Sequence, residues 1–244
     1  MPKSFPCFLF LLLSLTASYA QDRQLEKGID ELLKKQFSLS QPGCEVLVAK
    51  HGQVIYKKAF GSANIELNVP LLPDMVFNLA SITKQFTAVA ILQLVEQGKI
   101  SLQDSLQKFI PDFPSKGYTI TIENLLTHTS GIPDYLQLDF PNINMERWDF
   151  MPKQLIDSFK SYPLQFQPGT RFSYSNSGYY LLGYIIEQVS GKRYQSYIQD
   201  NLLKPLGLTH TYFDSAGIII PNRVNGYWKE GGGSKKCRLL EPDH

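Results

Sequence analysis

Apolar residues recur at helical spacing in the stretch Val76–Gln93, and neither Gly nor Pro interrupts it. Apolar positions that are three and four residues apart are typical of an α-helix. Because they fall on more than one side of this helix, we expect it to be buried on most of its faces. Asn78 is expected to cap its start.

Elsewhere the pattern predicts an early β-hairpin, a mostly helical middle and few later strands. Two apolar runs flank the tight turn His51-Gly52, which is typical of a hairpin. Such a hairpin is marginally stable alone, so we expect further strands or a helix to pack on it. The predicted elements are a helix at Leu25–Phe37, strands at Cys44–Lys50 and Gln53–Phe60, helices at Ser101–Phe109, Ile122–Thr127 (capped by Thr121), Pro152–Tyr162, Ser177–Val189 and Arg193–Leu203, and strands at Gly217–Ile220 and Arg223–Trp228.

The N-terminal 20 residues have the pattern of a secretory signal peptide. Lys3 supplies the positive start, Phe8–Ala17 the apolar core, and Ser18-Tyr19-Ala20 a small-x-small cleavage site. The apolar run is shorter than a transmembrane span requires. We therefore expect cleavage before Gln21 and export to the periplasm or the extracellular space.

Charge and cysteine usage narrow the function classes. The formal net charge is +2, which leaves no electrostatic footprint for nucleic acid. The sequence has no Cys or His cluster at metal-ligand spacing, so we expect no metal or cofactor. An oxidising compartment would permit a disulfide between Cys44 and Cys237.

Two serines are each followed three residues later by a lysine: Ser81 by Lys84, and Ser105 by Lys108. Residues three apart share a helix face, so the Lys84 amine can reach the Ser81 hydroxyl. A lysine in apolar surroundings releases its proton more readily and can then activate a hydroxyl as a nucleophile. The surroundings of Ser105 are polar, and its lysine is expected to stay solvated. The open alternative for the first pair is a buried serine beside a snorkelling lysine.

A second candidate constellation is Tyr174-Ser175-Asn176, which lies in a turn that enters a helix. A tyrosine beside a cationic lysine has a lowered pKa and can shuttle protons. An asparagine can hold a substrate amide through both its donor and its acceptor. The open alternative is a helix start, in which Ser or Asn caps the first turn.

Together these constellations resemble the serine β-lactamase and penicillin-binding protein superfamily, in its class C β-lactamase-like branch. That branch also holds D-Ala-D-Ala carboxypeptidases, D-aminopeptidases and esterases. The resemblance runs from about Leu25 to about Lys229 and is carried by four stretches in order: Phe77–Lys84, Leu125–Pro133, Phe172–Asn176 and Lys204–Leu208. It implies an α/β (α+β) fold class of the β-lactamase/DD-peptidase type, in which an antiparallel sheet packs with helices beside a mainly helical lobe.

The resemblance also implies a role for each site residue. Ser81 would be the acylated nucleophile, and Lys84 would activate it. Tyr174 would pass a proton to the leaving group, and Asn176 would bind the substrate amide. The Ser81 backbone N–H would form one half of an oxyanion hole. His128-Thr129-Ser130-Gly131 is interpreted as a helix end and turn, without a catalytic histidine.

The third motif of this superfamily, Lys-[Ser/Thr]-Gly or His-x-Gly on a late strand, has no convincing counterpart. Lys229-Glu230-Gly231 has an acidic middle residue and leads into glycines. We therefore expect a signal peptide over residues 1–20, a hydrolase domain over 21–229 that lacks the late sheet strands, and an irregular tail over 230–244. A truncation, or a changed reading frame near Lys229, would account for this end.

Two functions remain open at this point. One is a serine hydrolase that acts through an acyl-enzyme on a β-lactam, a D-amino-acid peptide or a small ester. The other is a catalytically inactive binding or remnant protein. Intact Ser81, Lys84, Tyr174 and Asn176 favour the first, and the missing third motif favours the second. The expected partner is a small-molecule or peptidoglycan-type substrate.

Overall fold

The computed structural model describes residues 23–139, 151–214, 217–230 and 233–236. These residues divide into two units. The first contains the chain up to Asn78 and the residues from Ile218 onwards, and the second spans Leu79–Gly217. The predicted signal peptide and Cys237 lie outside the described residues, so the export and disulfide predictions stay predictions.

A helix and a β-hairpin open the first unit, as the sequence predicts. Helix α1 covers residues 23–36, and strands β1 (Cys44–Lys50) and β2 (Gln53–Phe60) pair in antiparallel register. The buried Tyr56 of β2 donates a hydrogen bond to Asp30 of α1 at 2.7 Å. Helix packing on the hairpin, which a lone pair of strands needs, is therefore present.

Two further two-stranded sheets complete the described part of this unit. Strands β3 (Ser62–Asn64) and β4 (Val69–Pro70) form one sheet, and β5 (Tyr227–Glu230) and β6 (Gly233–Lys236) form the other. The Tyr227 hydroxyl accepts a hydrogen bond from the Ile65 N–H at 2.8 Å. The last sheet thus makes a specific contact with the turn that joins β3 to β4.

The late strands differ from the sequence prediction in three places. Residues 217–220 form no strand, and only the end of the predicted strand Arg223–Trp228 does. Residues 233–236, which were expected to belong to an irregular tail, pair with β5. Their Gly-Ser-Lys-Lys composition carries no apolar alternation, so the pairing depends on the partner strand and not on a local pattern.

The second unit is helical around one large apolar core. Its helices are α2 (Thr83–Glu96), α3 (Ile122–Leu126), α4 (Pro152–Phe159), α5 (Asn176–Ser190) and α6 (Tyr194–Ile198), the last continued by a π-helical turn at Gln199–Leu203. Helix α5 packs against α2, α3, α4 and α6 and is the centre of the unit. Its side chains Leu181, Leu182, Ile185 and Ile186 are fully buried.

Two helix predictions need correction. The helix predicted over Val76–Gln93 begins only at Ala80, with a 3₁₀ turn at Ala80–Ile82 before α2. It is not buried on most faces, because Val89 and Leu92 are 45% and 46% exposed. The helix predicted at Ser101–Phe109 is reduced to a 3₁₀ turn at Leu106–Lys108.

The cap of α3 is predicted correctly. The Thr121 side chain accepts a hydrogen bond from the Asn124 N–H, and the Asn124 side chain accepts one from the Thr121 N–H, which is a complete capping box. None of the helices in the described residues combines the length and the apolar character that crossing a membrane requires.

Candidate active site

Ser81 lies in the 3₁₀ turn Ala80–Ile82, directly before α2, and its side chain is exposed. Leu79 takes the N-cap position of this turn, one residue after the predicted Asn78, and the Leu79 side chain makes no capping hydrogen bond. The residue before the serine, Ala80, has a φ of +44°, in the left-handed region that L residues rarely adopt. Such backbone strain is common where a chain must present a reactive side chain.

Lys84 lies one turn further along the helix and reaches back to the serine. Its Nζ is 3.3 Å from the Ser81 Oγ and donates a second hydrogen bond to the Asn176 Oδ1 at 2.7 Å. The amine is also 4.7 Å from the centre of the Tyr174 ring and 5.7 Å from that of Tyr179. The three-residue spacing therefore brings the amine to the hydroxyl, as the sequence predicts.

Tyr174, which precedes α5, also contacts Ser81. Its hydroxyl donates a hydrogen bond to the Ser81 Oγ at 2.7 Å, across 93 positions of sequence. Burial acts to raise the pKa of Tyr174, but hydrogen bonding to Lys84 and Ser81 and the Lys84 charge outweigh it, so the pKa is lowered. A phenol with a lowered pKa exchanges its proton more readily near neutral pH.

Asn176 connects the lysine to a buried carboxylate. It begins α5, which Ser175 caps by accepting a hydrogen bond from the Gly178 N–H. The Asn176 Nδ2 donates to the Asp134 Oδ2 at 2.8 Å, while its Oδ1 faces Lys84. Asp134 is 7% exposed, and its other oxygen accepts the Leu136 N–H at 3.2 Å. The amide therefore points its oxygen at the lysine and its nitrogen at the carboxylate.

The arrangement suits nucleophilic catalysis by the Ser81 hydroxyl. The Ser81 Oγ lies within hydrogen-bond reach of two groups that can exchange protons, the Lys84 amine and the Tyr174 phenol. Either group, once deprotonated, can take the serine proton, and the other can deliver a proton to a leaving atom. Across the described ranges, no group of His, Cys, Asp or Glu could hold a metal ion.

All four predicted site residues thus come together in the second unit. The second Ser-x-x-Lys pair does not form a site, because the Lys108 ammonium bonds Asp104 at 2.7 Å and remains solvated. Lys229 and Glu230 of the third-motif lookalike lie in β5. Two features of the sequence argue against Lys229-Glu230-Gly231 as the third motif: it follows Asn176 too closely, and its middle residue is acidic.

Sequence reasoning missed Asp134 as a member of the site. In the sequence it is only the first residue of a polar and aromatic stretch, Asp134–Trp148, of which the structure describes residues 134–139. Its contact with Asn176 spans 42 positions, and nothing in the local pattern pairs the two residues. The one available signal was the residue type, because an Asp in a loop often accepts the backbone N–H two residues on, as Asp134 does from Leu136.

Replacing Asp134 by alanine is expected to lower the free energy of unfolding by about 1–3 kcal/mol. The change would leave the Asn176 Nδ2 and the Leu136 N–H without their acceptor in a buried site. Urea denaturation of the purified variant measures the loss. Asp139→Ala is the matched control, since Asp139 lies in the same loop and is exposed. Equal losses in both variants would show that the buried carboxylate contributes no more to stability than an exposed one.

Comparison with known proteins gives a consistent result. A family model described as Beta-lactamase matches residues 24–243. Protein flp from Staphylococcus aureus (strain COL) is 33% identical over 212 residues, which are 84% of this chain and 42% of the relative. Penicillin-binding protein 4* from Bacillus subtilis (strain 168) is 35% identical over 188 residues, which are 75% of this chain and 40% of the relative. The chain therefore spans less than half the length of these two curated relatives.

A solved structure gives the same picture for the backbone. EstCE1, a hydrolase with promiscuous acyltransferase activity, matches with a TM-score of 0.74 and 27% identity. The match covers 91% of this chain and 60% of that one. The match confirms the predicted β-lactamase/DD-peptidase fold class, with helices and small antiparallel sheets. The matched region is only part of the full-length EstCE1 structure.

Proposed function

The chain belongs to the beta-lactamase family, and from that premise we propose that it is a serine hydrolase that acts through an acyl-enzyme at Ser81. The observation that carries the proposal is the position of the Ser81 Oγ, 2.7 Å from the Tyr174 hydroxyl and 3.3 Å from the Lys84 amine. A serine placed between two such groups can be deprotonated as it attacks. The substrate is a β-lactam, a D-amino-acid peptide or a small ester.

The proposed reaction proceeds in two transfers. The Ser81 proton passes to Tyr174, directly or by way of Lys84, as the Oγ bonds to the substrate carbonyl carbon. The bond from that carbon to its leaving nitrogen or oxygen then breaks, and Tyr174 delivers the proton to the leaving atom. Water next attacks the Ser81 ester, which releases the acid and restores the hydroxyl. The Asn176 amide, fixed between Lys84 and Asp134, keeps one N–H for the substrate.

Intact-protein mass spectrometry tests this proposal directly. The chain is incubated with a fluorophosphonate, which phosphonylates activated serines with loss of fluoride, and separately with a penicillin. We expect a single fluorophosphonate adduct that is absent from Ser81→Ala. A penicillin adduct at the same serine would select the β-lactam class over the ester class.

The same experiment separates the alternative, an inactive binding or remnant protein. In that case the folded chain would carry no adduct with either reagent, although Ser81, Lys84 and Tyr174 are in contact. An adduct that persists in Ser81→Ala would place the reactive group elsewhere and contradict the proposal. Circular dichroism of both proteins shows that they are folded before the reagents are compared.

A further inference from the structure

His128 lies beside the site without touching Ser81 in any described contact. It follows α3 and has a φ of +58°, a left-handed conformation in which His and Asn are tolerated better than most residues. The predicted helix end and turn over His128–Gly131 is therefore confirmed. The chemistry proposed above makes no use of the imidazole, although the ring is half-buried against the proposed acid–base residues.

His128 accepts two hydrogen bonds from the residues on either side of Tyr174. The His128 backbone oxygen accepts the Ser173 N–H at 2.9 Å, and its Nδ1 accepts the Ser175 N–H at 3.1 Å. The imidazole also packs against the Tyr174 ring, with centroids 4.6 Å apart and an angle of 30° between the planes. The residue that donates a hydrogen bond to Ser81 is thus fixed on both sides and along one face by a single histidine.

The bond to Ser175 sets the protonation state of the ring. An Nδ1 that accepts a hydrogen bond carries no proton, so the imidazole is neutral with its hydrogen on Nε2. A proton on Nδ1 would turn the acceptor into a donor that faces the Ser175 N–H. The bond would then be lost, and with it the constraint on Tyr174 from that side.

We propose that His128 is a positioning residue, which holds Tyr174 against Ser81 only while its imidazole is neutral and so disassembles the site in acid. The effect on the labelling rate rests on the proposed function. The two hydrogen bonds that His128 accepts on either side of Tyr174, here called the bracket, do not depend on it. His128 touches no reacting atom, so it acts through Tyr174.

The charged and titratable neighbours of His128 favour the neutral form at neutral pH. Lys84 of α2, Tyr174, Tyr179 of α5 and Asp134 of the following loop face the ring. Burial lowers the pKa of His128 below its ordinary value, the Lys84 charge lowers it further, and the Asp134 charge raises it. The unfolded chain therefore binds this proton more readily. The stability that the neutral ring contributes is present above the unfolded pKa and is lost as the pH falls.

Two substitutions separate the acceptor from the titration. In His128→Asn the side-chain oxygen can occupy the place of Nδ1, tolerates the left-handed backbone and gains no proton in acid. In His128→Leu the acceptor is gone at every pH. The rate of fluorophosphonate labelling at Ser81 is measured for all three proteins between pH 4.5 and pH 8.

We expect His128→Leu to be labelled about tenfold more slowly than His128→Asn at pH 8, as the loss of one buried acceptor implies. The ratio of the wild-type rate to the His128→Asn rate cancels the pH dependence of Lys84 and Tyr174, which both proteins share. We expect this ratio to fall by about tenfold on acidification. A constant ratio, or equal rates for the Asn and Leu variants, would overturn the proposal.

A second measurement keeps the inference testable if the wild type is not labelled, which would contradict the proposed function alone. Amide hydrogen exchange, corrected for intrinsic rates, reports the protection of the Ser175 N–H. We expect protection to drop in acid in the wild type and to persist in His128→Asn. Protection that is independent of pH in both proteins would show that the bracket does not titrate.

Discussion

Replacing Lys84 by methionine is expected to slow the labelling of Ser81 by about 10²–10⁴-fold, the range that a positioned general base contributes. Methionine keeps the length of the side chain and its helix propensity, so α2 should remain intact. It removes the amine that lies 3.3 Å from the Ser81 Oγ and 2.7 Å from the Asn176 Oδ1. It also removes the charge that lowers the pKa of Tyr174, so the phenol would lose acidity along with the serine.

The chain offers a matched control in its second Ser-x-x-Lys pair. Lys108→Met removes a lysine at the same spacing from Ser105, whose ammonium is bonded to Asp104 in solvent. The labelling rate should not change in this variant. A rate for Lys84→Met within threefold of the wild type would mean that Tyr174 alone activates the serine, and the proposed role of Lys84 would be wrong.

Local sequence patterns were sufficient where a local interaction decides the structure. The hairpin of β1 and β2 was predicted to the residue, because His51 and Gly52 both adopt positive φ and make the two-residue turn that strand twist favours. The start of α3 was predicted because Thr121 and Asn124 cap each other within three residues. The Ser81–Lys84 contact belongs to the same class, since one helical turn creates it.

Contacts between distant segments were not predictable in the same way. The Asn176–Asp134 bond depends on where two loops meet, and the sequence shows only an Asp at the start of a loop. The pairing of residues 233–236 with β5 likewise depends on a partner strand and has no apolar pattern of its own. The exposure of Val89 and Leu92 depends on what packs against α2, which helical periodicity does not reveal.

The segment from His128 to Asp134 orients the site residues that lie near the start of α5. One end brackets Tyr174 through the Ser173 and Ser175 amides, and the other end holds the Asn176 amide. Neither end touches the nucleophile in any described contact, yet this short stretch orients both Tyr174 and Asn176. Its backbone path is therefore as important to the site as the residues that react.

Gly131, within this segment, is expected to be the least replaceable glycine of the second unit. Its φ is +73°, and a Cβ built there would overlap the Phe166 carbonyl oxygen, which is a backbone atom and not the end of a flexible side chain. The Gly131 oxygen also accepts a hydrogen bond from the Gln165 N–H at 2.8 Å. The two backbone segments therefore cannot move apart without losing that bond. Gly131→Ala should lower the free energy of unfolding by about 3–5 kcal/mol, which combines the left-handed penalty with steric overlap.

Gly191→Ala separates the two causes. Gly191 ends α5 with a φ of +68°, and a Cβ there would meet nothing within 4 Å. It should therefore lose only the left-handed penalty of about 1–2 kcal/mol. Urea denaturation of both variants measures the difference. If Gly131→Ala lost no more than Gly191→Ala, the contact with Phe166 would be free to relax. The path from His128 to Asp134 would then be held by its hydrogen bonds and not by the close approach of the two backbones.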